Sequence, residues 1–259
     1  MRTIEPNVIE KFFGYFQDSN GEYHRYTGRP VSDPLTDPRQ LAWMVIAPLV
    51  GIIAYKYFYH NKRNARKIVV ILSVLLLVLR FYTHGSDVIF GHSPAFTFLP
   101  FHLCEIMCVL VPIVAIFQLK WFKLPIYTLS MMGAVTTIYI GDQFSSTFFN
   151  SGLAVSIISH TLLLIIPLIE HAQGEFSFSI RESIKIFPIM LILMGWAELG
   201  NRVLLAGKHY NYMFLEQNGL PYNFGGKFYF LIYIAIFFTM YSAIFIPPLI
   251  RNKYCLQTK

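Results

Sequence analysis

Seven apolar runs, each about long enough to cross a bilayer and separated by short polar links, leave this 259-residue chain few folds to choose from. A helix rises 1.5 Å per residue, so about 20 residues cross roughly 30 Å of hydrocarbon. The runs fall at 41–60, 68–89, 99–119, 124–141, 153–169, 183–205 and 228–250, with the fourth and fifth the shortest. Inside lipid a segment must satisfy its own backbone amides, which selects helices over open sheet. The expected fold is all-α: a polytopic transmembrane helical bundle of about seven spans over residues 41–250. Composition agrees, because 55% hydrophobic and only 14% charged residues provide too little polar surface for a water-soluble domain.

Residues 1–40 form a polar arm whose Gly, Pro and Asp content cannot bury enough apolar surface to span, with a short interfacial helix expected over 7–16. Residues 251–259 make a short tail. No basic segment followed by an apolar one opens the chain, so no cleavable signal is expected and the first span directs insertion. Lys and Arg gather in "HNKRNARK" between spans one and two, at Lys120 and Lys123, and at Arg251 and Lys253. The links between spans two and three and between four and five have none. By the positive-inside rule the N-terminal arm lies outside a cell membrane and the C-terminus is cytoplasmic. This distribution also accounts for the +7 net charge, and nucleic acid is not an expected partner because no aromatic and basic surface stands outside the membrane. Cys104, Cys108 and Cys255 do not make a disulfide framework and read as free thiols.

A charge near the bilayer centre costs about 2.5–3.5 kcal/mol on insertion scales, so polar residues within spans face protein rather than lipid. Span two ends in "VLRFYTHGSD", with Arg80 and His84, and span three begins "LPFHLCEI", with His102, Cys104 and Glu105. His160 lies early in span five, and span six ends in "GWAELGNRVLL", with Glu198, Asn201 and Arg202. Alternate spans run in opposite directions, so all of these residues belong to one leaflet, whichever way up the protein sits. They imply a polar chamber open toward one face, with the opposite halves of the spans nearly free of charge. The loop carrying Asn211 and Tyr212 lies on the same side and reads either as a lid or headgroup contact or as an interfacial aromatic belt. A purely structural reading pairs Arg80 with Glu198 or Asp87 to hold helices together.

At 100° per residue Cys104 and Cys108 share a helix face, Glu105 lies beside it, and His102 points about 160° away from Cys104. His102 is then a poor base for the thiol, and His160, at matching depth on another helix, is the base expected for a nucleophilic Cys104. Arg80, His84 and Arg202 favour negative charge at that end and suit a lipid phosphate. His102 and Glu105 also share a face and with His84 or His160 offer a metal-binding alternative. No HExxH, paired CxxC or glycine-rich phosphate loop accompanies them, so neither a metal nor another cofactor is expected.

Taken in order across residues 80–250, "LPFHLCEI", "SHTLLLIIP" and "NYMFLEQNGLP" resemble the YwaF-like integral membrane proteins. The resemblance implies a bundle shared with a eukaryotic transmembrane acyltransferase that exchanges fatty acyl chains on glycerophospholipids, and in which a membrane cysteine and histidine are taken as catalytic. Those two roles fall on Cys104 and His160, and the implied partners are membrane lipids as acyl donor and acceptor. Glu105 departs from the smaller or differently polar residue expected after "HLC". Three readings stay open at this point: a cysteine-dependent lipid acyltransferase or acyl hydrolase, a transporter or binding protein for a small solute or lipid, and a noncatalytic membrane partner. No inverted repeat supports the second.

Overall fold

The computed structural model describes residues 8–17, 23–25, 36–89, 98–141, 144, 149–204, 211–219 and 224–257. In the arm, helix α1 (Val8–Phe13) is shorter than the sequence suggests. Gly14 adopts φ 78°, a left-handed turn that ends a helix at no steric cost, and the chain continues as strand β1 (Tyr15–Gln17). β1 pairs antiparallel with β2 (Tyr23–Arg25), Tyr15 lying opposite Arg25.

Seven long helices follow: α2 (Pro38–His60), α3 (Ala65–Ile89), α4 (Leu103–Phe117), α5 (Lys120–Ile140), α6 (Ser151–Ala172), α7 (Ile186–Leu199) and α8 (Tyr229–Gln257). α2 starts where it does because Asp37 caps it, accepting from Arg39 N at 2.8 Å, with Pro38 in the first turn where no amide is needed. The side-chain bond from Arg39 also holds the Asp37 carboxyl below its ordinary range. Five segments are long and apolar enough to cross a membrane: Pro38–His60, Ala65–Ser86, Ser151–Ala172, Glu182–Leu204 and Gly226–Ile246. α4 is a shorter apolar helix, and α5, at 21 residues, completes the bundle. The shortest helices are thus the sixth, α7 with 14 residues, and the third, α4 with 15, not the fourth or fifth.

α6 sits at the centre, packed against α2, α3, α4 and α5. Two contacts one heptad apart fix its antiparallel register with α5: Lys123 with Glu170, and Ser130, whose Oγ donates to the Leu163 carbonyl at 2.7 Å. Residues seven apart return to the same helix face, so this pairing defines a continuous seam. At the end of the seam away from Cys104, charges that flank the apolar runs of the sequence fold into the bundle. Lys123 is fully buried and reaches Glu170 at 2.6 Å, Gln118 at 2.7 Å and Glu175 at 3.0 Å, while Arg66 approaches Glu170 at 3.8 Å. A buried ammonium needs partners of this kind, and α6 with the chain after it supplies both carboxylates.

Candidate functional site

The site is built around the start of α4, four residues later than the apolar run suggests. Glu105 is the cause: its Oε2 accepts from the backbone N–H groups of Phe101 and His102 at 3.1 and 3.2 Å, which closes the helix at that point. The same carboxylate gathers α3. Oε1 lies 3.4 Å from His84 Nε2, and Oε2 lies 3.9 Å from Arg80 Nη2. Arg80 is only 6% exposed; its Nη2 donates to the Phe98 carbonyl at 3.3 Å, and its Nη1 has no partner among the described residues.

The structural pairing of Arg80 with Glu198 is not what forms. Glu198 pairs instead with Arg202 one turn on, and Arg202 also approaches Glu216 at 3.5 Å. Arg202 is 68% exposed, so this pair stands at the rim while Arg80 lies inside. The side chain of Asp87, the other partner expected for Arg80, lies outside the described residues.

A strap lies across the helix start. His102 has an extended backbone (φ −75°, ψ 145°) and precedes α4, so the helical-wheel angle between it and Cys104 does not apply. Its Nδ1 accepts from Met213 N at 3.3 Å, and its ring packs edge-on to Tyr212 at 5.0 Å. Asn201 clamps Tyr212 through both backbone groups, accepting from its N–H at 2.8 Å and donating to its carbonyl at 3.2 Å. Asn211 braces the following turn by accepting from the amides of Glu216 and Gln217 at 3.1 Å each. Met213 and Phe214 sit at φ 53° and 55°, an uncommon conformation for residues with side chains and one that surrounding contacts must hold. Asn201 reaches the strap from a π-helical turn, Gly200–Leu204, that follows α7. There a Cβ on Gly200 would lie 2.6 Å from the Phe101 ring, so glycine permits the close approach.

Cys104 occupies the first turn of α4. Its Sγ lies 3.6 Å from Thr137 Oγ1 on α5, and a Cβ on Gly133 would come within 3.1 Å of it. The backbone amides of Leu103 and Cys104, in the first turn, precede the first intrahelical bond, which runs from Ile106 N to the His102 carbonyl. His160 Nδ1 lies 2.8 Å from the Ser156 carbonyl, a group that can only accept. Nδ1 therefore carries the proton and Nε2 keeps the lone pair of a base. The imidazole meets Trp43 edge-on at 6.3 Å. Thiol and imidazole do not hydrogen-bond each other. Three residues on from Ser130 is Gly133 and three back from Leu163 is His160, so the seam sets His160 across α5 from the glycine that touches Cys104. Cys108, one turn along α4, is a second free thiol and packs in the apolar core.

Sequence reasoning missed Thr137 and Gly133, although Lys123, Ser130 and Thr137 repeat every seven residues on α5. It found Arg80, His84, His102 and Glu105, which the structure brings together, and Asn201, Asn211 and Tyr212, which it assigns to the strap.

Seven long helices, five of them long and apolar enough to cross a membrane, with charge and a thiol gathered at one helix start, define a multi-pass membrane protein. The model of the TMEM164 family matches residues 35–246, from the cap of α2 into α8, and the chain belongs to that family. No curated protein and no solved structure matches the chain.

Proposed function

We propose that the protein is a cysteine-dependent acyltransferase of membrane lipids, in which Cys104 attacks an acyl ester, His160 is the base and Arg80 holds the lipid phosphate. One observation carries this reading: Cys104 stands on the first turn of α4 next to Glu105, whose carboxylate faces the buried guanidinium of Arg80, and Arg80 Nη1 has no partner among the described residues. The amides of Leu103 and Cys104 at that start can stabilise the oxyanion of a tetrahedral intermediate, in the way that donors aimed at developing charge do. Arg80 is the better phosphate ligand than Arg202, which is exposed and already shared by two carboxylates. The resemblance to YwaF-like proteins and their acyltransferase relative supports the same reading, although membership in a fold family speaks to architecture before reaction.

Arg80 also favours a second reading. A buried guanidinium that keeps one donor, Nη1, without a partner among the described residues suits a protein that binds or carries an anionic lipid or solute without chemistry. Intact-mass analysis separates the two: incubation with phosphatidylcholine vesicles gives an acyl adduct on Cys104 of the enzyme and none on a binding protein. In the proposed orientation the arm and the helix start face outside the cell membrane, and the C-terminus is cytoplasmic.

A further inference from the structure

The absence of a direct bond between Cys104 and His160 leaves the acyl-transfer reading without a path for the thiol proton. We propose that Thr137 supplies it, as a positioning residue whose hydroxyl holds the Cys104 thiol and hands its proton on toward His160 Nε2. The inference rests on Cys104 being the nucleophile.

The argument begins at the α5–α6 seam. Lys123 meets Glu170 and, one heptad on, Ser130 meets Leu163. The next residue of that stripe on α5 is Thr137, and the next on α6 is Ser156. Seven residues turn a helix through nearly two whole turns, so Thr137 shares the face that the two established contacts present to α6. Thr137 is therefore placed between two helices. Its Oγ1 lies 3.6 Å from Cys104 Sγ on α4, and its level on α6 is that of Ser156.

The imidazole is brought to the same level. Side chains of a helix lean toward its N-terminus, and the Nδ1 bond to the Ser156 carbonyl folds the His160 ring back over the turn that begins at Ser156. Ser156 Oγ lies 3.3 Å from Nδ1 as well, so a second hydroxyl stands at this level. Thr137 Oγ1 thus meets the thiol on one side and, by the register of the seam, stands at the level of Ser156, over which the imidazole folds. Gly133 leaves room for the thiol, since any Cβ there would press on Sγ at 3.1 Å.

In the step itself the Sγ–H proton passes to Thr137 Oγ1 as the hydroxyl's own proton passes to His160 Nε2. The sulfur lone pair forms the bond to the ester carbonyl carbon, and the carbonyl π pair moves onto oxygen. Collapse of the tetrahedral intermediate breaks the ester carbon–oxygen bond, and the departing lysolipid oxygen takes the proton from His160. The products are an acyl-cysteine, a lysolipid hydroxyl and neutral histidine.

The test compares wild type, Thr137→Val, Thr137→Ser and Gly133→Ala in full-length protein reconstituted with phosphatidylcholine vesicles, reading the rate of acyl adduct formation on Cys104 by intact mass. General acid–base assistance contributes about 10²–10⁴-fold, so Thr137→Val, which keeps the shape and removes the hydroxyl, should slow acylation by about 100-fold or more. Thr137→Ser should stay within about tenfold of wild type, a rescue that a packing role does not predict. Gly133→Ala should slow acylation with Thr137 intact, by displacing the thiol. The alkylation rate of Cys104 by a membrane-permeant maleimide should also shift its pH profile in Thr137→Val and not in Thr137→Ser. Wild-type rates in Thr137→Val overturn the proposal while leaving Cys104 as nucleophile. Loss in Thr137→Val and Thr137→Ser alike overturns it in favour of packing. A wild-type protein that never carries an acyl group overturns the nucleophile reading, and this inference with it.

Discussion

Lys123 and Glu170 form a buried ion pair across the α5–α6 seam, 2.6 Å from nitrogen to oxygen, at the end of the bundle away from Cys104. Removing one partner leaves the other charged, buried and without its match, which typically costs 3–5 kcal/mol, roughly, in folded proteins. Replacing both with apolar residues of similar size is often neutral. Lys123→Met and Glu170→Leu should therefore each lower the thermal unfolding temperature of the detergent-solubilised protein markedly, and the double variant should recover most of the loss. A double variant as unstable as the sum of the singles would show that the pair's neighbours, Gln118, Glu175 and Arg66, carry the stability instead.

How much of this was legible in the sequence differs from residue to residue. Arg80, His84 and Glu105 were placed together by counting spans, because alternation of direction alone decides which ends share a leaflet. Lys123 looks like a loop charge in the sequence, since it sits three residues past Lys120 in a basic link, and nothing local reveals that Glu170 folds over it. The start of α4 was misplaced because an apolar run shows where a segment is buried and not where its amides are capped; the carboxylate of Glu105 decides that. The strap depends on Asn201 arriving through a π-helical turn. No periodicity in the sequence marks it.

Asn201 satisfies both backbone groups of Tyr212, and an unsatisfied buried amide or carbonyl costs about 1–3 kcal/mol. Asn201→Ala should speed hydrogen exchange at the Tyr212 amide, and His102→Ala should speed it at Met213. Because the two hold one strap, the double variant should exchange at both sites less than the sum of the single effects requires. An unchanged Tyr212 amide in Asn201→Ala would remove the clamp from the account of how Met213 and Phe214 keep their left-handed backbone.

The proposed orientation rests on the short loops, with one adjustment. Lys123 is neutralised inside the protein, so the cytoplasmic assignment rests on Lys62, Arg63, Lys67 and Lys120, which are exposed. A reporter that is active only in the cytoplasm, fused after Lys259, should be active. The same reporter inserted after Asn150 should be silent, because that end of α6 lies on the face of the arm, where Ser151 Oγ reaches the Phe13 carbonyl at 3.5 Å. The opposite pattern would invert the protein and place the Cys104 layer toward the cytoplasm.

The final prediction ranks variants of the site by what each side chain touches. If Cys104 is the nucleophile, Cys104→Ala and Cys104→Ser should both abolish acyl transfer from phosphatidylcholine to a lysolipid acceptor, with folded yield preserved. His160→Ala should lose nearly as much, and the double variant should be scarcely worse than either, since groups acting as one unit are not additive. Arg80→Gln should lower affinity for the lipid more than Arg202→Gln, because Arg80 is buried with one donor that has no partner among the described residues and Arg202 is exposed and doubly paired. His102→Ala should be milder than His160→Ala, as His102 Nδ1 is engaged with the Met213 amide and not with the thiol. A carrier or binding protein gives another order, in which Cys104→Ala is tolerated and Arg80→Gln dominates the loss. Full acyl transfer by Cys104→Ala therefore sinks the enzyme reading and leaves the buried guanidinium of Arg80 as the functional group of an anion-binding site.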